Sequence, residues 1–177
     1  MQGIGPEGGR QARPLFRAPD VLTALRIPLA IAFVLLDNVV TRLVVLSVAA
    51  LSDYVDGIWA RRIGGSRAGV VLDPVSDKLF ALAAFSVVWR YHALGIFELL
   101  GVLLRDIVAL IAFLGTVVRR KPTTLPARAG GKWVTVGQLL TLLAFLLESD
   151  LVRPLAWATA AMAVYAIADY TRAARAR

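Results

Sequence analysis

The sequence predicts an all-α integral membrane protein of six transmembrane helices, with both termini on the cytoplasmic side. Three observations predict it: too many apolar residues for 177 positions to bury, six apolar runs, and a one-sided distribution of Arg and Lys. Hydrophobic residues make up 58% of the chain and mean hydropathy is +0.70. A water-soluble domain is about half apolar, and so short a chain has little interior to hide the excess. Lipid is the solvent that accepts it.

The runs fall at 21–36, 39–61, 70–91, 94–118, 132–149 and 152–172. Each approaches the roughly 20 residues needed to cross a bilayer. Pro28 is expected to kink the first, and only Asp37 and Asn38 separate it from the second. The longest polar connections are Arg61–Gly69 and Arg119–Lys132. No repeat divides the chain, so residues 19–177 read as a single six-helix domain behind a polar segment, 1–18. That segment is rich in Gly and Pro and has no apolar stretch of the kind a signal peptide needs.

Orientation follows from the basic residues. Arg10, Arg13, Arg17, Arg61, Arg62, Arg67, Arg119, Arg120, Lys121, Arg128, Lys132, Arg172, Arg175 and Arg177 fall on one side. Arg42, Arg90 and Arg153 fall on the other, beside Asp37, Glu148 and Asp150. The first side is the cytoplasmic one, which places a multi-pass protein in the cell membrane. The formal charge of +8 could serve a nucleic acid. Arg residues set between apolar runs suit an anionic membrane surface and phosphate ligands instead. With no Cys and a single His, a disulfide framework, a thiolate nucleophile and a zinc site of His or Cys are all excluded.

Ionisable side chains inside apolar segments are costly and usually functional. Asp53 and Asp56 are three apart and Asp73 and Asp77 four apart, so each pair shares a helix face. In an antiparallel hairpin closed by the Arg61–Gly69 loop, all four carboxylates converge at one membrane depth. Such a group needs countercharge. Lys78, Arg61 and Arg67 can supply part of it, and divalent cations supply it better. Oxygen ligands alone point to Mg²⁺, Mn²⁺ or Ca²⁺. Two ions bridging phosphate oxygens would suit phosphoryl displacement. A structural ion cluster or a cation-transport site is the competing reading.

Asp53-Tyr-Val-Asp56-Gly57-Ile-Trp-Ala60-Arg61, followed by Gly69-Val-Val-Leu-Asp73-Pro-Val-Ser-Asp77, resembles the signature of the CDP-alcohol phosphotransferases, D-x-x-D-G-x-x-A-R then G-x-x-x-D-x-x-x-D. All the defining residues are present, with seven residues (62–68) between the halves where the family has eight. The resemblance implies that Asp53, Asp56, Asp73 and Asp77 hold two Mg²⁺ or Mn²⁺ ions. It implies that Asp77 is also the base that takes the acceptor's hydroxyl proton, that Gly57 and Ala60 make room for cytidine, with Gly69 beside them, and that Arg61 meets the diphosphate. Upstream, Pro19-Asp20-Val-Leu-Thr23-Ala-Leu-Arg26 resembles the family's P-N-x-x-T-x-x-R, with Asp20 where Asn is usual. Thr23 and Arg26 then join the nucleotide site, although Arg26 could instead snorkel to the surface.

Leu72-Asp73-Pro74-Val75-Ser76-Asp77-Lys78-Leu79 resembles the version found in phosphatidylglycerophosphate synthases and cardiolipin synthases, as do Arg105-Asp106 and Gly131-Lys132 with Thr135 and Gln138. This implies CDP-diacylglycerol as donor and a small phosphorylated alcohol, sn-glycerol 3-phosphate, as acceptor, with a homodimer among membrane lipids and no nucleic acid. Arg105 and Lys132, helped by Arg119 or Arg128, are candidates for the acceptor's phosphate. Arg105 could equally pair with Asp106, and Lys132 could be an ordinary basic flank. A cardiolipin synthase, an inositol-phosphate enzyme of the same family and a membrane cation transporter stay as alternatives. Trp59, Trp89, Trp133 and Trp157 read as core or interface residues.

Overall fold

The computed structural model describes residues 18–63, 69–118 and 129–175. Among these the chain is all helical, with no strand: α1 Ala18–Leu35, α2 Val39–Ile63, α3 Gly69–Arg90, α4 Ile96–Val118, α5 Ala129–Leu146 and α6 Val152–Arg175. Every expected segment is a helix. The largest shift is α5, which lies three residues earlier than 132–149 at both ends, so that Lys132 sits within its first turn.

Local chemistry sets the connections at one end. Asn38 caps α2, its Oδ1 accepting from Thr41 N at 3.1 Å. His92 ends α3 with φ 56°, and Ala93 N reaches back to Val88 O at 3.2 Å. Glu148 ends α5 in the same way, with φ 52° and Ser149 N on Ala144 O at 2.9 Å. Both are Schellman closures built without glycine. Between them, Glu98 reaches back to the amide of Gly95 at 2.7 Å, fixing the start of α4.

Helix α1 packs against α2 and α3, and α6 against α4 and α5. The two halves meet chiefly through α3 and α4. Phe33, Phe85, Val88 and Val102 are fully buried in the shared core. Phe33 meets Phe80 edge to face at 6.0 Å. Gly101 lets α4 close on α6, since a Cβ there would fall 2.7 Å from Ala160 Cβ.

The outer faces of the bundle are apolar. Val21, Leu35, Val40, Leu51, Phe97, Ile111 and Tyr165 are all exposed, at 62–78%. All four Trp are exposed rather than in the core. Among the described residues, no helix is long and apolar enough to cross a membrane. Charged side chains interrupt the apolar runs: Asp20 and Arg26 in α1, Arg42, Asp53 and Asp56 in α2, Arg105 and Asp106 in α4.

Candidate active site

One face of α1 carries Asp20, Thr23 and Arg26 at successive turns, and all three are buried. A charged residue so placed needs partners, and α2 and α3 provide them. Arg26 Nη2 lies 2.8 Å from Asp53 Oδ1 and 2.6 Å from Asp56 Oδ2. Its Nη1 lies 2.5 Å from Asp77 Oδ1. Thr23 Oγ1 donates to the same Asp56 oxygen at 3.1 Å. Three helices thus join at one guanidinium.

The three carboxylates differ in access. Asp56 is buried with a side chain 9% exposed, whereas those of Asp53 and Asp77 are 56% and 43% exposed. Asp56 anchors the cluster, and the other two form an open rim. Gly69, at the start of α3, is buried and Gly57 half-buried. Asp73 lies one turn before Asp77 on α3, but its side chain, like those of Ala60 and Arg61, lies outside the described residues.

Three acids around one cation leave two negative charges in excess. Among the described residues the cation is Arg26, while Lys78 turns to another acid. The Arg61 side chain and Arg67 lie outside the described residues. Among the described residues no group of three or more acids or His stands ready to hold a metal; the acids gather around Arg26 instead. The donor set nevertheless fits a hard divalent ion, because it offers carboxylate oxygens only, two of them on the open rim.

A second polar cluster adjoins the first through the neighbouring residue Lys78. Lys78 Nζ lies 2.5 Å from Asp106 Oδ1, and Gln138 Nε2 donates 2.6 Å to Asp106 Oδ2 and 3.0 Å to Val102 O. Asp106 is 5% exposed and ties α3, α4 and α5 together. Sequence reasoning gave Asp106 a structural part only as a candidate partner of Arg105, a contact that is present at 3.4 Å, and gave Gln138 none. The signal was a charge and an amide inside apolar runs, which need partners when buried. Arg105 reaches Asp106 more loosely, Nη1 at 3.4 Å, and among the described residues its buried Nε meets no hydrogen-bond partner. Lys132 is exposed on α5 next to Gly131, and Arg119 lies outside the described residues.

The opposite end of the bundle is of another kind. A cavity of about 550 Å³ opens there beside the Asn38 cap and the two closures, with Asp37, Arg42, Tyr91, Glu148 and Arg153 in its wall. Arg42 is buried and already occupied: it donates to Phe33 O at 3.1 Å and Asp37 at 3.0 Å, with its guanidinium 5.2 Å from the centre of the Tyr91 ring. None of the clustered aspartates lines that cavity.

The model of the family described as CDP-alcohol phosphatidyltransferase matches residues 16–168. A protein of Aquifex aeolicus named CDP-diacylglycerol–glycerol-3-phosphate 3-phosphatidyltransferase is 36% identical over 134 residues, 71% of this chain and 72% of that protein. Proteins of the same name are 32% identical in Mycoplasma pneumoniae, over 54% of this chain and 41% of that protein, and 38% identical in Escherichia coli, over 44% and 47%. The match thus spans less than half the length of these last two. The family model covers most of the chain, including both halves of the aspartate motif and the Thr23–Arg26 face: this protein belongs to the CDP-alcohol phosphatidyltransferase family.

Proposed function

We propose that the protein transfers a phosphatidyl group from CDP-diacylglycerol to sn-glycerol 3-phosphate, giving phosphatidylglycerophosphate and CMP. Donor and acceptor come from the names of its relatives. The observation that carries the reading in this chain is the meeting of Asp53, Asp56 and Asp77 at Arg26. Displacement at phosphorus is catalysed mainly by positioning and by charge gathered at one point.

In this reading Asp77 takes the proton from the acceptor hydroxyl. The oxygen attacks the lipid-side phosphorus, the bond from that phosphorus to the CMP oxygen breaks, and CMP leaves. Arg26 engages Asp77 through Oδ1, which fixes the carboxylate at the open rim. Asp20, Thr23, Arg26, Gly57, Ala60, Arg61 and Gly69 hold the cytidine diphosphate. Arg105, Lys132 and Arg119 take the acceptor's phosphate. Asp53, Asp56, Asp73 and Asp77 would hold Mg²⁺ or Mn²⁺, two ions, whose chemistry is to neutralise charge on the diphosphate oxygens.

Residues 19–177 act as one membrane domain with the site on the cytoplasmic side, in a chain that pairs as a homodimer. The exposed apolar faces support the membrane setting, since soluble monomers rarely expose such continuous patches. Helices of 18–25 residues have lengths of about 27–37 Å, close to the roughly 30 Å of a bilayer core.

The test supplies purified protein with CDP-diacylglycerol, Mg²⁺ or Mn²⁺, and a panel of labelled acceptors: glycerol 3-phosphate, phosphatidylglycerol and inositol phosphate. Label should enter lipid from glycerol 3-phosphate with matching CMP release. Label from phosphatidylglycerol or inositol phosphate alone would reassign the acceptor, and no CMP with any of them would remove the reading.

A further inference from the structure

Arg105 lies against a place where the backbone has no side chain. Gly131, buried in the first turn of α5, faces it so closely that a Cβ there would fall 2.5 Å from Nη2 and 3.2 Å from Cζ. The hydroxyl of Tyr170 from α6 would lie 3.2 Å from the same Cβ. The Tyr170 ring is itself held against Val134, Ala163 and Ala166. On its third side, the guanidinium meets Asp106 at 3.4 Å. Three helices therefore form a seat for one cation, and the seat exists because residue 131 is glycine.

The seat does not use up the charge it holds. Asp106 is already met at shorter range by Lys78 and by Gln138. Lys78 and Arg105 together outnumber Asp106 by one positive charge, and among the described residues Arg105 Nε is buried without a hydrogen-bond partner. A buried donor left unpaired costs stability unless a ligand completes it. A phosphate monoester would do so, because a guanidinium presents parallel N–H donors to two of its oxygens.

We propose that Gly131 is a positioning residue that, with Asp106 and Tyr170, aims Arg105 at the phosphate of the acceptor. This rests on the reading of Arg105 as an acceptor-binding residue. Any side chain at 131 displaces the guanidinium and weakens acceptor binding while leaving the donor site alone.

The experiment measures KM for sn-glycerol 3-phosphate and for CDP-diacylglycerol in Gly131→Ala, Arg105→Gln, Arg105→Lys and the double variants, together with their melting temperatures. Gly131→Ala and Arg105→Gln should each raise acceptor KM about tenfold or more, as loss of a charge-assisted hydrogen bond does, with donor KM within about twofold. Adding Gly131→Ala to Arg105→Gln should then cost nothing further. Arg105→Lys keeps the charge and removes the colliding Nη2. Gly131→Ala should therefore change KM and melting temperature much less in the Arg105→Lys background than in the wild-type chain, even if Gly131→Ala alone folds poorly. A full additional loss in either Arg105 background overturns the proposal while the role of Arg105 stands. An unchanged acceptor KM in Arg105→Gln overturns that role and the proposal with it.

Discussion

Arg26 of α1 and Asp77 of α3 are 51 residues apart in sequence and meet at 2.5 Å, Nη1 to Oδ1. The same guanidinium holds Asp53 and Asp56 of α2 through its other terminal nitrogen. A single cation thus fixes the spacing of the carboxylates. Replacing Arg26 with Gln leaves Asp56 buried beside two other acids without that charge. Breaking a buried pair from one side costs on the order of 3 kcal/mol. Melting of Arg26→Gln in detergent should fall in EDTA and recover with added Mn²⁺ by more than the wild-type chain gains. Equal gains in both would separate Arg26 from the carboxylate site.

Asp77 stands at the open rim and carries little of the packing. Asp77→Asn keeps the shape and removes the proposed base. CMP release should fall by about 10²–10⁴-fold, the typical worth of a positioned proton acceptor. The melting temperature should stay near that of the wild type. A variant that keeps a tenth of the activity or more would move the base elsewhere.

Asp106 has a different task. Buried and met by Lys78, Gln138 and Arg105, it holds three helices at one point. Asp106→Leu strands the Lys78 ammonium and the Gln138 amide and should cost on the order of 3 kcal/mol in stability. Adding Lys78→Met should recover part of that cost, because two apolar side chains replace a broken pair. Denaturation in mild detergent, read as a double-mutant cycle, measures the coupling.

The apolar outer faces predict that the chain stays with membranes after alkaline carbonate extraction. The absence of Cys permits single-cysteine labelling without background. In intact cells, a membrane-impermeant thiol reagent should label Asp150→Cys and spare Arg172→Cys until the membrane is opened, both side chains being exposed. The reverse pattern would invert the orientation read from the basic residues.

Much of this was legible in the sequence, and the reasons differ by element. Six helices followed from apolar runs broken by Asp37-Asn38 and by basic loops, because lipid and packing both demand satisfied backbones. The convergence of Asp53 and Asp56 with Asp77 followed from helical spacing and a hairpin. Arg26 entered the site only through the resemblance of its own helix, and its pairing with the acids did not follow, since it lies some thirty residues away and nothing in the spacing ties it to Asp56. The Lys78–Asp106–Gln138 cluster was hidden for the same reason: it joins three helices whose mutual rotation is set by packing. The closures at His92 and Glu148 gave no sign either, since neither uses the glycine that usually marks such a helix end. Gly131 entered the sequence reading only as part of a family-like stretch, and its contact with Arg105 shows only in the structure.

The central claim is that the aspartates of α2 and α3 act as one cation site. The loss of free Mn²⁺ signal in electron paramagnetic resonance, titrated with purified protein and CDP, measures it directly. The wild-type chain should remove Mn²⁺ from solution, and Asp56→Asn and Asp77→Asn should each abolish most of that binding. Undiminished Mn²⁺ uptake by both variants would contradict the account.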